Sequence, residues 1–334
     1  MTEIIGGKLI RSDVSKNAMG GTELMAQRML TLPSDLLENF HIVHSRLRND
    51  LDETKIRIFV AHDLPGDPES DQLKNGGWRK YHRLVFVSNW QMQAYIKTYN
   101  IPWGRCHVLL NAIEPLKPNY EPKTVGPAVR LIYHSTPHRG LEILVPVFKR
   151  LSERYNLHLD VYSSFNLYGW GERDEQYKKV FEDIESLPNA TNHGSVSQDE
   201  VREAIRQSDI FAYPSIWEET SCLCLMEAMS AGLVCVHPNL GALPETAANW
   251  TFMYQFHEEP SQHAGRFHSI LEQAIKAVDD SNERLYRQLE SQAGYANVFY
   301  NWNLRKIEWE NFLKSLLNEP REFEVEKQMF NYRA

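Results

Sequence analysis

Several things are scarce in this chain of 334 residues, and each scarcity excludes something. Cysteine occurs only as Cys106, Cys222, Cys224 and Cys235, too few and too clustered for a disulfide framework, so a reducing, cytoplasmic setting is expected. The pair Cys222-x-Cys224 lies in the apolar run Cys222-Leu-Cys-Leu-Met226 with no second Cys or His pair at zinc spacing, and reads as small buried packing residues. Nowhere do about 18 apolar residues run together, and the first residues, Met1-Thr-Glu-Ile-Ile-Gly-Gly, lack a basic segment, so neither a membrane span nor a signal peptide is expected. The 17 glycines form neither G-x-G-x-x-G nor G-x-x-x-x-G-K-[ST], which argues against a dehydrogenase and a P-loop NTPase. Basic charge is also short. With 36 Lys and Arg against 44 Asp and Glu, the net charge of −8 argues against broad coating of nucleic acid or anionic membrane. Residues 1–124 hold 16 basic and 14 acidic side chains and the rest 20 and 30, so an anionic macromolecule would prefer the first half.

What is present suffices for a sizeable core: 42% of residues are apolar and 11% aromatic. The length favours two domains. Short apolar runs alternate with amphipathic segments. Strands are expected at 4–10, 40–44, 56–61, 84–88 and 106–110, with helices at 21–30 and 91–99. Residues 111–129 lose all periodicity and gather four prolines, which marks a linker. A second series then predicts strands at 129–133, 157–162, 210–213 and 233–236, with helices at 142–155, 174–184, 198–207 and 222–231. Alternating strands and helices imply parallel sheets covered on both faces. The fold class is therefore α/β, with two doubly wound, Rossmann-like domains at 1–125 and 126–299. The last 70 residues are helical and aromatic, with Trp302 and Trp309 seven apart on one face of an amphipathic helix over 302–317. The tail, 318–334, is charged and without pattern.

The most informative stretch is Pro214-Ser-Ile-Trp-Glu-Glu219-Thr-Ser-Cys-Leu-Cys-Leu-Met-Glu227-Ala-Met-Ser-Ala-Gly232. A strand runs into a polar turn, then an apolar helix, then a second buried strand. In such folds ligands sit beyond the carboxyl ends of strands, and a helix start offers N–H groups to phosphate. Glu219 falls on the turn and Glu227 within the helix. A carboxylate in an apolar helix is costly to bury unless it meets donors such as sugar or ribose hydroxyls. A helix ion pair or a solvated glutamate is the equally weighted alternative.

The pattern Pro-Ser-x-x-x-Glu-x7-Glu-Ala-Met-x-x-Gly, followed by Gly241-Ala-Leu-Pro-Glu245, resembles the signature of retaining family 4 glycosyltransferases of the GT-B architecture, in which two Rossmann-like domains face a cleft. Further matching pieces are Gly20-Gly21-Thr-Glu23, Val87-Ser88-Asn-Trp90, Asn111-Ala-Ile-Glu114 and His138-Arg139-Gly140-Leu141. Among members, the chain is most similar to glycosyltransferases of marine cyanophages, which implies a host cytoplasm.

The resemblance implies that Glu227 holds the donor ribose, Glu219 contacts the transferred sugar, and Arg139 neutralises the diphosphate. It implies that the backbone N–H groups of Leu223 and Cys224 meet phosphate and sugar oxygens, and that Gly20 and Gly21 let the backbone approach the donor. His62, in Phe59-Val-Ala-His-Asp-Leu-Pro65, resembles the histidine that touches the donor sugar, against the plainer reading of a structural histidine. Ser135, Thr136 and His138, after strand 129–133, are unranked candidates for phosphate. The C-terminal helix, 300–317, would pack back on the first domain. No cofactor or metal is implied, because the positive charge comes from Arg139 and a helix start. The co-substrate would be a nucleotide sugar, UDP-glucose by resemblance, and the acceptor a saccharide or a modified DNA base.

Three departures stand out. Where many relatives have Glu-Gly-Phe-Gly this chain has Glu219-Thr-Ser-Cys222, so the turn must form without glycine. The segment His134-Ser-Thr-Pro-His-Arg139 holds one fixed cation where relatives commonly hold two. The first domain is short for the architecture, which points to trimmed acceptor loops. Two rival functions share the donor site: a sugar-nucleotide epimerase, and a protein that binds a nucleotide sugar without turnover.

Overall fold

The computed structural model describes residues 2–11, 20–47, 50–118, 128–280 and 283–319. Much of the proline-rich linker and almost all of the 318–334 tail lie outside these. The described chain forms two compact units, one from residues 2–11, 20–111 and 303–319, the other from the residues between 112 and 302.

The first unit holds β1 (Thr2–Ile5), β2 (Lys8–Arg11), α1 (Gly21–Met29), α2 (Ser34–Leu37), β3 (Phe40–His44), β4 (Ile56–Ala61), β5 (Arg83–Phe86), α3 (Asn89–Tyr99) and β6 (Cys106–Val108). Its sheet has the order β2-β1-β3-β4-β5-β6, with β3 to β6 parallel. The single strand expected over 4–10 is instead a hairpin. Gly6 (φ 55°) and Gly7 (φ 77°) both take the left-handed conformation that a tight two-residue turn requires. Ile4 therefore pairs with Leu9, and β1 runs antiparallel to both β2 and β3, so this sheet is mixed rather than wholly parallel. Val43, Phe59, Leu84 and Phe86 from the strands pack with Met92 and Tyr95 of α3. That helix starts where Ser88 Oγ accepts the Gln91 N–H at 3.1 Å and stops at Asn100, which is left-handed. The C-terminal helix returns to this unit from Asn303 onward, and Phe312 stacks on His107 of β6 with centroids 4.4 Å apart.

The second unit runs β7 (Val129–Tyr133), α4 (Leu141–Ser152), β8 (Leu157–Val161), α5 (Lys178–Glu185), β9 (Ala190–Asn192), α6 (Gln198–Gln207), β10 (Ile210–Ala212), α7 (Leu223–Ser230), β11 (Val234–Pro238), α8 (Leu243–Ala247), β12 (Phe252–Tyr254), α9 (Pro260–Asp279) and α10 (Glu283–Phe299). The last helix, α11 (Trp302–Leu317), matches the amphipathic segment read from the sequence. The helix expected over 174–184 divides: 171–177 is a tight 3-10 stretch and only Lys178–Glu185 is α-helical. The six-stranded sheet has the order β12-β11-β10-β7-β8-β9 and every pair is parallel. The chain moves outward in one direction from β7 and in the other from β10. These adjacent strands make the topological switch point, and their carboxyl ends are where an open α/β sheet takes a ligand. All four cysteines are free. Among the described residues no helix is long and apolar enough to cross a membrane.

Candidate active site

The loops after β7 and β10 touch through a glycine. Gly140 has φ 110°, and a Cβ there would lie 2.1 Å from the carbonyl oxygen of Pro214, so no other residue fits without moving backbone. This contact sets Arg139 beside Glu219. Arg139 Nη1 donates to Glu219 Oε1 at 2.7 Å and Oε2 at 2.9 Å. The Tyr213 hydroxyl also donates to Glu219 Oε1. The glutamate side chain is 5% exposed and the arginine side chain 23%.

The turn from Glu219 to Cys222 contains no residue with positive φ. Its missing glycine is made good by a neighbouring loop. Gly241 has φ 58°, a Cβ there would fall 2.7 Å from both N and O of Glu219, and the Ala242 N–H donates to Glu219 O at 2.7 Å. Burial works against the Arg139 charge, and the Glu219 carboxylate more than offsets it, holding the guanidinium above its ordinary range. Burial, then the Glu219 charge, pushes the Tyr213 hydroxyl well up, which keeps it a donor.

Helix α7 begins at Leu223, with Cys222 as an extended N-cap and no side-chain cap. Leu223 and Cys224 therefore lie in the turn whose N–H groups have no partner within the helix. Cys224 Sγ donates to the carbonyl of His134 at 2.9 Å, which ties this helix start to the loop after β7. One face of α7 meets α6, whose start is fixed by a capping box between Ser197 and Glu200. That start sets Gln198 and Arg202 against Glu227, which is 7% exposed. Gln198 Nε2 donates to Glu227 Oε1 at 3.1 Å and Arg202 Nη1 lies 3.5 Å from it. Arg202 also donates to the Glu114 carbonyl from both Nη atoms at 3.2 Å and to Pro115 O at 3.4 Å. Glu227 is thus neither solvated nor isolated.

Around these groups lie buried polar atoms with no hydrogen-bond partner: both ring nitrogens of His134, Thr136 Oγ1, His138 Nδ1, Arg139 Nε, Ser163 Oγ and Ser221 Oγ. All sit in the loops that follow β7, β8 and β10. Such groups are rare in folded proteins, and here they gather at the carboxyl end of one sheet. Ser135 shares the loop after β7 and is half-buried. Burial drives the His134 imidazole down to about 3. Burial, with Arg139 and Arg173 adding, drives His138 to about 4. Both rings are neutral at pH 7 and carry no charge to a phosphate. His138 instead packs on aromatics, stacked with Phe165 and edge-on to Trp217, each 5.2 Å between centroids.

Gly20, Gly21 and His62 belong to the first unit. Gly20 is the N-cap of α1 with φ −66°, and its carbonyl accepts the Leu24 N–H at 3.0 Å. It needs no glycine-only backbone conformation. His62 follows the carboxyl end of β4 and meets His44, which the sequence reading passed over: His44 Nδ1 lies 3.0 Å from His62 Nε2. The sequence carried no local signal for this meeting, which the pairing of β3 with β4 sets. An Asp-x-Asp spacing occurs at Asp50-Leu51-Asp52, where Asp52 Oδ1 accepts from the backbone N–H of Thr54 at 2.9 Å and from its hydroxyl. Among the described residues no group of three or more His, Cys, Asp or Glu is placed to hold a metal ion.

Of the two α/β units only the second is doubly wound, since β3 to β6 of the first follow one another in a single direction, and together they have the GT-B fold of glycosyltransferases. Residues 123–290, just over half of the chain, match the family Glycosyl transferases group 1, and the chain belongs to that family. It is an enzyme of glycosyl transfer that uses a nucleotide sugar. No curated protein matches it in sequence. Among solved structures it is similar to a glycosyltransferase from Rickettsia africae ESF-5, at 15% identity over 93% of this chain and 85% of that one, TM-score 0.65. The catalytic domain of starch synthase IV from Arabidopsis thaliana, bound to ADP and acarbose, is 13% identical over 90% and 79%, TM-score 0.62. HepE from Anabaena, in complex with UDP, is 15% identical over 78% and 72%, TM-score 0.61.

Proposed function

We propose that this enzyme is a retaining, metal-independent family 4 glycosyltransferase that moves glucose from UDP-glucose to a saccharide hydroxyl in the cytoplasm. The observation that carries this reading is the Arg139–Glu219 pair at the carboxyl ends of β7 and β10, set among buried polar atoms that lack partners. As the bond between the sugar C1 and the diphosphate oxygen breaks, negative charge grows on the phosphate. Arg139 neutralises it, helped by the N–H groups of Leu223 and Cys224 and by Ser135 and Thr136. The acceptor hydroxyl attacks C1 from the face the diphosphate leaves, and its proton passes to the departing phosphate oxygen, so configuration is kept. Glu219, held by Tyr213, accepts from the sugar hydroxyls, and His62 contacts the sugar. Glu227, oriented by Gln198 and Arg202, accepts from the ribose hydroxyls. HepE in complex with UDP supports a uridine donor, and the net charge of −8 favours a saccharide over DNA as acceptor.

The test is calorimetry with UDP, GDP, ADP and their glucose forms on wild type and Glu227→Ala, followed by proton NMR of donor hydrolysis. UDP and UDP-glucose should bind, lose affinity in the variant, and release α-glucose first. β-Glucose released first would exclude retention, and a new sugar nucleotide formed from UDP-glucose alone would make the enzyme an epimerase. Binding of none of these ligands would refute the reading of the site.

A further inference from the structure

The loops after β8 and β10 carry aromatic side chains for which the proposed reaction has no use. Trp170 and Trp217 are each 39% exposed, and Ile216, beside Trp217, is 50% exposed. The two indoles are linked through shared rings. His138 meets Trp217 edge-on and stacks on Phe165, each at 5.2 Å between centroids, and the Trp170 N–H donates to the Phe165 carbonyl at 3.2 Å. Phe165 itself is buried.

Both tryptophans are held where they are. The buried Ser215 donates from Oγ to the Trp217 carbonyl at 3.0 Å and accepts the Trp217 N–H at 3.2 Å. In the loop after β8, Asp174 Oδ1 accepts the Phe165 N–H at 2.8 Å, and Gly169, at φ 75°, closes the turn with its N–H on Asn166 O at 2.9 Å. The Arg173 guanidinium lies 4.3 Å from the Trp170 ring centre, and Tyr168 tilts against the same ring at 5.3 Å. Apolar surface kept in solvent by such bracing marks a binding place, and a surface fixed in advance costs a ligand less to bind.

Chemistry and place together name the occupant. The face of an indole is the negative side of its quadrupole and attracts the C–H face of a pyranose ring, whose hydroxyls lie around the edge. Arg173 brings N–H donors to one such ring. The 3-10 stretch 171–177 carries Glu172, Asp174 and Glu175 against Arg173, and Glu218 follows Trp217, so the surface favours an uncharged ligand over nucleic acid or an anionic membrane. His138 directly precedes Arg139 and Trp217 stands two residues before Glu219, which makes the surface continuous with the pair at which the sugar is transferred.

We propose that Trp217 and Trp170 form a stacking subsite for the non-reacting sugars of the acceptor, so that the enzyme extends an uncharged oligosaccharide of two or more units rather than a monosaccharide. This inference rests on the glycosyl-transfer reading given above.

The test uses the full chain labelled with 15N-tryptophan, with and without UDP, and reads the indole N–H signals. Those of Trp217 and Trp170 are identified by their loss in Trp217→Phe and Trp170→Phe. Maltotriose, cellotriose and tri-N-acetylchitotriose are the probes, with glucose for comparison, because a flat stacking surface discriminates little between linkages. At least one trisaccharide should shift both signals and bind about tenfold or more tighter than glucose. Trp217→Ala and Trp170→Ala should each weaken it about fivefold, and the Phe variants by less, because a ring remains. Trp103→Ala, which removes a 62% exposed tryptophan from the first unit, should leave the affinity unchanged. Melting curves identify an alanine variant that has lost its fold, in which case the Phe pair decides. Trisaccharides that leave both signals unmoved, or that bind no better than glucose, overturn the inference, as do shifts produced by duplex DNA or phosphatidylglycerol vesicles in their place. Calorimetry of wild type with UDP separates the two claims. If UDP does not bind, the reading of the donor site fails, while the indole shifts still decide the subsite.

Discussion

Arg139 and Glu219, 80 residues apart in the chain, are joined through a single guanidinium nitrogen that reaches both carboxylate oxygens, at 2.7 and 2.9 Å. This is not the parallel fork in which two nitrogens each take one oxygen. The pair engages the carboxylate through Nη1, and Nε lies buried without a partner. A phosphate oxygen can therefore be met by the same side chain while the carboxylate stays oriented. The Tyr213 hydroxyl is a second donor to Glu219 Oε1, so the carboxylate does not depend on Arg139 alone for its orientation.

The pair should be visible in stability as well as turnover. Arg139→Met leaves a buried carboxylate without its cation and should cost about 2–4 kcal/mol, less than for a wholly buried pair because Arg139 is partly exposed. Adding Glu219→Gln should restore most of that loss, since the uncompensated charge goes with it. UDP-glucose turnover should stay down by about 100-fold or more in both single variants and the double. Urea denaturation and UDP release measure the two effects. Stability of Arg139→Met equal to wild type would show that the contact has no structural weight.

Gly241 positions Glu219 from outside its own turn, so its effect should fall on catalysis. Gly241→Ala places a methyl group 2.7 Å from the Glu219 N and O at a positive φ, and both obstacles are backbone. The expected cost is about 1–3 kcal/mol, with kcat lowered more than donor affinity. Gly265→Ala is the control: nothing lies within 4 Å of a Cβ there and the position is inside α9. It should raise stability by about 0.5–1 kcal/mol and leave turnover alone. Parallel melting curves and rates would expose a Gly241 effect that is only a fold effect.

How far the sequence could be read depended on whether a feature is local. The strands Phe40–His44, Ile56–Ala61 and Val129–Tyr133 and the helices Gln198–Gln207 and Trp302–Leu317 stand at the residues their apolar periodicity indicates. The hairpin at Gly6-Gly7 was missed because Ile4, Leu9 and Ile10 read as one apolar run, although a Gly-Gly pair is a turn signal. Strands β9 and β12 were missed because β9, Ala190-Thr-Asn, carries no apolar run and β12, Phe252-Met-Tyr, is a brief one set between Thr251 and Gln255. At the site, the spacing of Glu219 and Glu227 lies within one strand–turn–helix segment and was legible. The meeting of Arg139 with Glu219 was not, because it depends on Gly140 lying against Pro214 and Gly241 against Glu219. His44 carried no local sign at all. Its partner is set by strand register, which a single sequence does not state.

Glu227 and Arg139 should separate when the ligand is taken apart. If Glu227 accepts from ribose, Glu227→Ala should weaken UDP by about tenfold or more and leave inorganic pyrophosphate unchanged. Arg139→Ala should weaken both and should lower turnover more than affinity, because phosphate charge grows in the transition state. Arg202→Met should resemble a mild Glu227→Ala, since Arg202 anchors that carboxylate to the carbonyls of Glu114 and Pro115. Calorimetric titration with UDP and pyrophosphate gives all three. A pyrophosphate affinity that falls in Glu227→Ala would move this carboxylate from the ribose to the phosphate.

Acid should unfold the enzyme in a window set by its buried histidines. Burial takes His62, His138 and His237 to about 4 and His134 to about 3, whereas in the unfolded chain imidazoles titrate near 6.5. Between these limits the unfolded state binds more protons than the folded one, so stability falls as pH drops from about 6.5 towards 4, by up to about 1.4 kcal/mol per pH unit for each histidine. Carboxylates act lower. Burial opposes ionisation of Asp160, but hydrogen bonds from His193 and Arg130 hold it below the usual range, so its contribution is lost only as pH falls below about 4. The two causes are therefore separable on one pH axis. His237, which accepts from the Thr251 hydroxyl at 2.7 Å, is the member furthest in sequence from the proposed donor residues. His237→Gln should flatten the slope between pH 6.5 and 4 by about one proton and leave the slope below pH 4 untouched. Urea midpoints at closely spaced pH values give both slopes, and an unaltered upper slope in the variant would mean that His237 already takes up its proton in the folded state.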